Sequence, residues 1–166
     1  MNTEVRNKPF GILFVCLGNI CRSPLGEGIC REQIARRGLL DQFHVDSCGT
    51  GAWHVGEPPH TDSQRIAQKN GIDISSQRAR KLQPEDGERF AVLIAMDRSN
   101  KRDIATIVGS DARVHLLREF DSDQSSLDVP DPYHGGFDGF REVFEMVDRS
   151  VERLLDTLCD ELQIPK

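Results

Sequence analysis

The sequence predicts an α/β fold in one domain, a doubly wound parallel sheet flanked by helices, and three observations carry that prediction. Phe10-Gly11-Ile12-Leu13-Phe14-Val15 is a short apolar run, bounded by a turn-rich loop and followed at once by helical spacing. Ala91-Val92-Leu93-Ile94-Ala95 is a second run of the same kind, again with a helical stretch behind it. Phe137, Phe140, Phe144, Val147, Val151, Leu154, Leu158 and Leu162 form a long amphipathic stripe near the end of the chain. Strands that alternate with helices pair in parallel, because a parallel neighbour is reached only through a crossover.

The first strand runs into Cys16-Leu17-Gly18-Asn19-Ile20-Cys21-Arg22, and Ser23-Pro24 then reads as a helix entry with proline at the first helical position. Leu25, Ile29, Ile34 and Ala35 keep helical spacing as far as Arg37, and Gly38 stops the helix. Phe43–Ser47 reads as a second strand, and the turn-rich stretch from Gly49 to Pro59 holds the single tryptophan, Trp53. Thr61–Asn70 is a polar-faced helix closed by Gly71 as a left-handed cap. Ala91–Ala95 is a buried strand, Arg98–Val108 a helix and Val114–Leu117 a further strand. The last helix is expected to pack on the sheet. Residues 1–9 read as a mobile N-terminal extension, 10–162 as the domain and 163–166 as a tail.

At 166 residues the chain is one domain's worth, long enough for a real core. Its net charge of −6 argues against a nucleic-acid binder, which would show a basic face. No apolar run approaches the roughly 20 residues that span a bilayer, so membrane insertion is not expected. Met1–Lys8 is too polar for a signal peptide. Five cysteines, of which only Cys16 and Cys21 lie close together, argue against a disulfide framework and for a reducing cytoplasm. Zinc fits poorly, because that pair has no second Cys/His pair at ligand spacing.

The loop after the first strand carries the chemistry. A tight turn between Cys16 and Arg22 aims backbone N–H groups into one concavity, backed by the positive end of a helix. An oxyanion fits that seat with a thiol beneath it, which points to thiolate attack on phosphorus. Helix N-termini and nearby cations favour the ionised thiol, so Cys16 is expected to react as the thiolate. The planar fork of Arg22 matches two phosphate oxygens. Gly18 lets the backbone turn where a Cβ would clash, and Asn19 is among the few other residues that tolerate positive φ. The Ser23 hydroxyl either caps the helix or donates to the Cys16 sulfur, and local sequence leaves both open. A buried structural cysteine before an ordinary helix is the bland alternative, and the ordered set of Cys, Gly, Asn, Arg and Ser argues against it.

Thiolate attack expels an alkoxide or phenoxide unless an acid protonates it. Asp131 is the candidate: Pro132 biases it toward an extended conformation and Pro130 stiffens the approach. A carboxyl beside a thiolate and a phosphate dianion favours its neutral form. A solvated acidic turn is the alternative, and Asp121, Asp123 and Asp128 read as surface residues. When a phosphocysteine is hydrolysed in the second half-reaction, Asp131 would switch from acid to base. Trp53 and Tyr133 suit the flat walls of an aryl pocket, with Ile20 as an apolar floor contact. By residue type alone Trp53 is also a core tryptophan and Tyr133 a turn aromatic. Cys30, Cys48 and Cys159 read as packing residues, and His44, His60 and His115 as surface or packing residues.

Cys16-Leu17-Gly18-Asn19-Ile20-Cys21-Arg22-Ser23-Pro24 resembles the signature loop of the low-molecular-weight protein tyrosine phosphatases. Asp131-Pro132-Tyr133 resembles the acid loop of that family. Asp46-Ser47-Cys48-Gly49-Thr50, Trp53-His54-Val55-Gly56 and Ala95-Met96-Asp97 resemble family segments in the same order, so the likeness runs from Phe10 to about Leu162. It implies a four-stranded parallel sheet of the flavodoxin-like, Rossmann-like class. It implies hydrolysis of phosphotyrosine in proteins, and of small aryl phosphates, through a phosphocysteine, with Cys16, Arg22 and Asp131 as catalytic residues and no metal or cofactor. The phosphate-binding loop is then Leu17, Gly18, Asn19, Ile20, Cys21, Arg22 and Ser23, braced by Asn19, Ser23 and Ser47. The substrate pocket is Ile20, Trp53, His54 and Tyr133. Implied partners are phosphotyrosine-containing proteins, a tyrosine kinase among them, with phosphate or vanadate as competitive ligands. A branched apolar residue at Ile20 suits phosphotyrosine, since relatives that prefer phosphoarginine carry threonine there. Family members use the thiol that Cys21 matches to trap an oxidised nucleophile as a reversible disulfide; a small buried side chain is the other reading of Cys21.

Three departures limit the carry-over. Family members often have alanine at Cys48, some have a second tyrosine where this chain has His134, and some have a supporting histidine where it has Gln77. An arsenate reductase on the same scaffold is a rival reading. It needs further cysteines in a mobile segment around 80–100, and this chain has none between Cys48 and Cys159. A non-catalytic phosphate-binding or sugar-transport regulatory module is the other, disfavoured by the presence of both Cys16 and Asp131.

Overall fold

The computed structural model describes residues 8–166, so the expected N-terminal extension lies, apart from Lys8 and Pro9, outside the described residues. Strand β1 (Phe10–Cys16) is buried at every residue after the first. Its side chains alternate, with Ile12 and Phe14 in one apolar cluster and Leu13 and Val15 in a second. A strand buried on both faces belongs in the middle of a parallel sheet, and β1 lies there. With β2 (Phe43–Gly49), β3 (Val92–Ala95) and β4 (Val114–Leu116) it forms a four-stranded, all-parallel sheet in the order β2-β1-β3-β4. The predicted fold class is the one observed.

Helices α1 (Arg22–Arg36), α2 (Thr61–Lys69) and α5 (Phe137–Leu162) cover one face, sharing a core with Ile12, Phe14, Val92 and Ile94. Helix α4 (Arg98–Val108) covers the other, where Ile104 meets Leu13, Val15 and Leu93. The predicted stripe on α5 is buried from Phe140 to Leu158, with Phe137 and Leu162 partly buried, and it shares the sheet's core as expected while the helix also runs along α1 and α2. A single helical turn, α3 (Asp86–Arg89), and a 3₁₀ turn over Leu117–Phe120 were not foreseen, and the latter ends β4 one residue early. Gly38 and Gly71, at φ of 71° and 76°, close α1 and α2 as expected. Pro24 is a correction. The helix begins at Arg22 with Cys21 as its N-cap, so Pro24 stands third rather than first. It is still within the first turn, where a missing N–H breaks no helical bond.

Pairing sets Cys16 opposite Gly49 and Val15 opposite Ala95, so three strands end level at one edge. The chain leaves β1 toward β2 on one side and returns to β3 on the other, which makes the end of β1 the switch point of the sheet. Among the described residues no helix is long and apolar enough to cross a membrane.

Candidate active site

The loop from Cys16 to Arg22 folds tightly over the end of β2. Thr50 N–H donates to Cys16 O and Gly51 N–H to Leu17 O, both at 2.9 Å. The crossing is so close that a Cβ on Gly49 would lie 2.7 Å from Leu17 O. The left-handed residue is Asn19, at φ 57°. Gly18 is not left-handed, and a Cβ there would meet the His54 ring at 3.1 Å. Local sequence correctly asks for a small residue there, but the obstacle is a side chain from the next segment.

Asn19 holds the loop by its side chain. Its Oδ1 accepts from Arg80 N–H at 3.0 Å, which turns Nδ2 toward Ser23 Oγ (2.8 Å) and Ser47 Oγ (3.0 Å). Ser23 thus accepts from Asn19 and has its own proton to give. Its Oγ lies 3.0 Å from Cys16 Sγ and 3.3 Å from Cys48 O, and it makes no helix cap. The choice left open by local sequence falls to the sulfur. Asn19 N–H also donates to Cys16 Sγ, at 3.3 Å. The N–H groups of Leu17, Gly18, Ile20 and Cys21 have no hydrogen-bond partner among the described residues. Their residues line one cavity together with Cys16, which is 2% exposed.

Arg22 is buried beside this concavity. Its Nη1 donates to Asp97 Oδ2 at 2.6 Å and to Val129 O at 3.0 Å, while Nη2 lies 3.8 Å from Asp131 Oδ2. Nε and Nη2 make no hydrogen bond among the described residues, which leaves two adjacent donors for a bidentate anion. Burial works against the charge of Arg22, but the Cys16 sulfur, Asp97 and Asp131 outweigh it and raise its pKa. Asp97 spends its other oxygen as the N-cap of α4, accepting from Asn100 N–H at 2.7 Å. Val129 anchors the acid loop: its N–H donates to Met96 O at 2.8 Å, and its carbonyl receives Arg22. Two residues later Asp131 faces the pocket, its Oδ1 accepting from Tyr133 N–H at 3.1 Å.

A cavity of about 300 Å³ opens over the loop, and Cys16, Ile20, Arg22, Trp53, His54, Asp131 and Tyr133 all line it. Trp53 is 72% exposed, which removes its reading as a core residue. His54 Nδ1 is held by Glu57 Oε2 at 2.7 Å. His60 caps α2 through Nδ1 and stacks on Phe140. Gln77 donates to Pro24 O at 3.2 Å, and the prop on Asn19 Oδ1 is the Arg80 backbone. Cys30, Cys48 and Cys159 are fully buried packing residues. Burial, then the charges of Cys16 and Asp131, push the Cys21 thiol up to about 12, with Arg22 opposing. Among the described residues no cluster of His, Cys, Asp or Glu could hold a metal ion.

A family model described as low molecular weight phosphotyrosine protein phosphatase matches residues 11–164. The chain belongs to the low-molecular-weight protein-tyrosine-phosphatase family. As a member of that family it is an enzyme, a phosphatase. It is 46% identical over 147 residues to a low molecular weight phosphotyrosine protein phosphatase of Schizosaccharomyces pombe, covering 86% of this chain and 94% of the relative. It is 39% identical over 155 residues to the low molecular weight protein-tyrosine-phosphatase YfkJ of Bacillus subtilis, covering 92% and 98%. The crystal structure of YfkJ superposes with a TM-score of 0.88 over 94% of this chain and 98% of that one. That of DARP, an arginine phosphatase of Drosophila, superposes with a TM-score of 0.81 at 29% identity, covering 89% and 96%.

The sequence named the residues that touch the cavity except His134, and missed several that place them. Asp97 and Gly49 stood in segments noted only for their resemblance. Val129 and Arg80 carried no signal, because each acts through its backbone.

Proposed function

We propose that this phosphatase hydrolyses phosphotyrosine in proteins, and small aryl phosphates, through a phosphocysteine on Cys16. The observation that carries the reading is that Cys16 shares one cavity with loop residues whose N–H groups are unpartnered, with Arg22 and Asp131 3.8 Å apart in the same lining. The loop amides and the two spare Arg22 donors bind the phosphate oxygens and the charge that grows on them. Cys16 attacks phosphorus as the thiolate, and the S–P bond forms as the phenolic O–P bond breaks. Asp131 gives its proton to the leaving oxygen. Water then attacks phosphorus, Asp131 takes the proton, and the S–P bond breaks to return the thiolate and inorganic phosphate. Ser23 Oγ and Asn19 N–H stabilise the sulfur as it leaves.

Trp53 and Tyr133 flank the aryl ring, with Ile20 and His54 completing the wall. Ile20, branched and apolar, favours phosphotyrosine over phosphoarginine. After peroxide converts the Cys16 thiolate to a sulfenic acid, the Cys21 thiol displaces water to form a reversible disulfide. Five free, buried cysteines support a reducing cytoplasm as the working compartment. Tyrosine-phosphorylated proteins, a tyrosine kinase included, are the partners, and phosphate and vanadate compete for the loop.

Hydrolysis of p-nitrophenyl phosphate without added metal tests the reading. Cys16→Ser should abolish turnover while phosphate still binds, and Asp131→Asn should cost on the order of a hundred- to ten-thousand-fold. Parental turnover by Asp131→Asn on a poor leaving group would remove Asp131 from the mechanism. Iodoacetate alkylation of Cys16 that phosphate does not slow would remove the site.

A further inference from the structure

We propose that Glu27 is a positioning residue for the chemistry at Cys16, the terminal acceptor of a hydrogen-bond chain that fixes where Ser23 points its proton. The proposal rests on the reading of Cys16 as nucleophile. Glu27 lies on α1 just past the loop, is only 3% exposed and touches nothing in the cavity. Its Oε1 accepts from Ser47 Oγ at 2.9 Å. From there the chain runs through Asn19 to Ser23 and the sulfur.

The directions from Asn19 are fixed, and an ionised sulfur can only accept from Ser23. Arg80 N–H fixes the Asn19 amide, so both serine oxygens receive an Asn19 proton and must send their own onward. Ser47 can do so only while Glu27 accepts, and Ser23 then has the sulfur as its nearer acceptor. An ionised carboxylate is the stronger terminus, because hydrogen bonds to charged groups exceed neutral ones.

The groups around Glu27 make that terminus sensitive to protons. From its own helix Arg31 Nη1 lies 3.1 Å from Oε2, and Cys30 is beside it. From β2, the negative charge of Asp46 favours the proton on Glu27, and Arg80 grips Asp46 at 3.0 Å. Burial pushes the Glu27 pKa up to about 7, Arg31 and Ser47 pull against the rise, and Asp46 adds to it. The brace is therefore firmest above neutrality and slackens as a proton enters the Glu27–Asp46 pair.

The test is the pH profile of kcat/KM with p-nitrophenyl phosphate. Glu27→Gln has a neutral terminus at every pH. It should match the parent on the acid side of neutrality and fall about three- to ten-fold below it on the alkaline side. In a Ser47→Ala background, which cuts the chain, Glu27→Gln should change nothing further. A variant-to-parent ratio that stays constant across pH would overturn the proposal, since a merely structural pin acts equally at all pH. So would an undiminished effect of Glu27→Gln in the Ser47→Ala background. If Glu27→Gln does not fold, Asp46→Asn asks the same question: it removes a charge that holds the proton on Glu27, so the acid-side decline should move to lower pH. An unmoved profile refutes. An inactive parent would instead overturn the reading of Cys16 itself, so the two failures are distinct.

Discussion

Replacing Asp97 by asparagine should weaken the fold and the catalyst together, and phosphate should repair part of the first loss. Arg22 is 3% exposed, and Asp97, itself 21% exposed, is its shortest contact at 2.6 Å. Removing one partner of a buried ion pair costs about 3–5 kcal/mol, because the remaining charge is left without compensation. Here the cost is smaller, about 2–3 kcal/mol, since Asp97 is partly solvated and Val129 O still accepts from Arg22. Asparagine keeps an oxygen for Asn100 N–H, so the α4 cap survives and the loss reports the charge alone. For a chain of this size that is a fall in Tm of roughly 4–12 °C. Bound phosphate supplies Arg22 with a new counter-ion, so saturating phosphate should raise the Tm of Asp97→Asn by more than it raises that of the parent. Turnover should drop, because the Arg22 fork is no longer aimed. Differential scanning with and without phosphate reads the outcome. A variant that melts within a degree of the parent, or gains no more from phosphate, would show that Asp97 is only a helix cap.

Gly49→Ala should reduce kcat/KM at least ten-fold, because the added Cβ presses on Leu17 O at 2.7 Å and on Asn19 N at 3.1 Å, both backbone atoms of the loop; steady-state kinetics that match the parent would mean the loop is free to rise. Glu27 also gives stability a pH signature. With its pKa moved from 4.5 up to about 7, the folded state binds a proton that the unfolded chain has lost in that interval, so stability declines as pH rises from 4.5 to about 7. Denaturant midpoints should show that decline in the parent and its absence in Glu27→Gln.

The parts of the site that sequence exposes are those whose chemistry and position are both local. Cys16 and Arg22 bracket one loop between a strand and a helix, so their meeting needs no knowledge of the rest of the fold. Asp97 was hidden by doing two things: as the residue before a helix it reads as a cap, which it is, and only its second oxygen reaches Arg22. Val129 and Arg80 act through a carbonyl and an amide, and a backbone group has no residue type to recognise. Glu27 reads as a polar position on a helix. It is buried because the first turns of α1 are enclosed on every side, Arg22 through Cys30 without a gap. Trp53 could not be placed by type, since a core tryptophan and a pocket wall look alike until the sheet puts the 49–59 turn over the cavity.

The two sides of the cavity differ in how they are held, and that difference bears on how substrate choice can change. On the chemical side several supports are tied to the main chain at the carboxyl end of a strand. β1 supplies Cys16, β2 supplies Ser47 and Gly49, and Asp97 and Val129 are fixed at the end of β3. Moving any one of them breaks bonds in two segments. On the recognition side Trp53 and Tyr133 are exposed, and neither side chain makes a hydrogen bond among the described residues. Substituting them disturbs no support of Cys16 or Arg22. On the proposed mechanism, substitutions along this wall, and at Ile20 below it, should shift substrate preference while leaving the attack on phosphorus unaltered. Asp131 stands between the two, pinned through Val129 at its root yet 47% exposed at its carboxyl, which under the proposed mechanism lets it meet both a changing leaving group and a fixed sulfur.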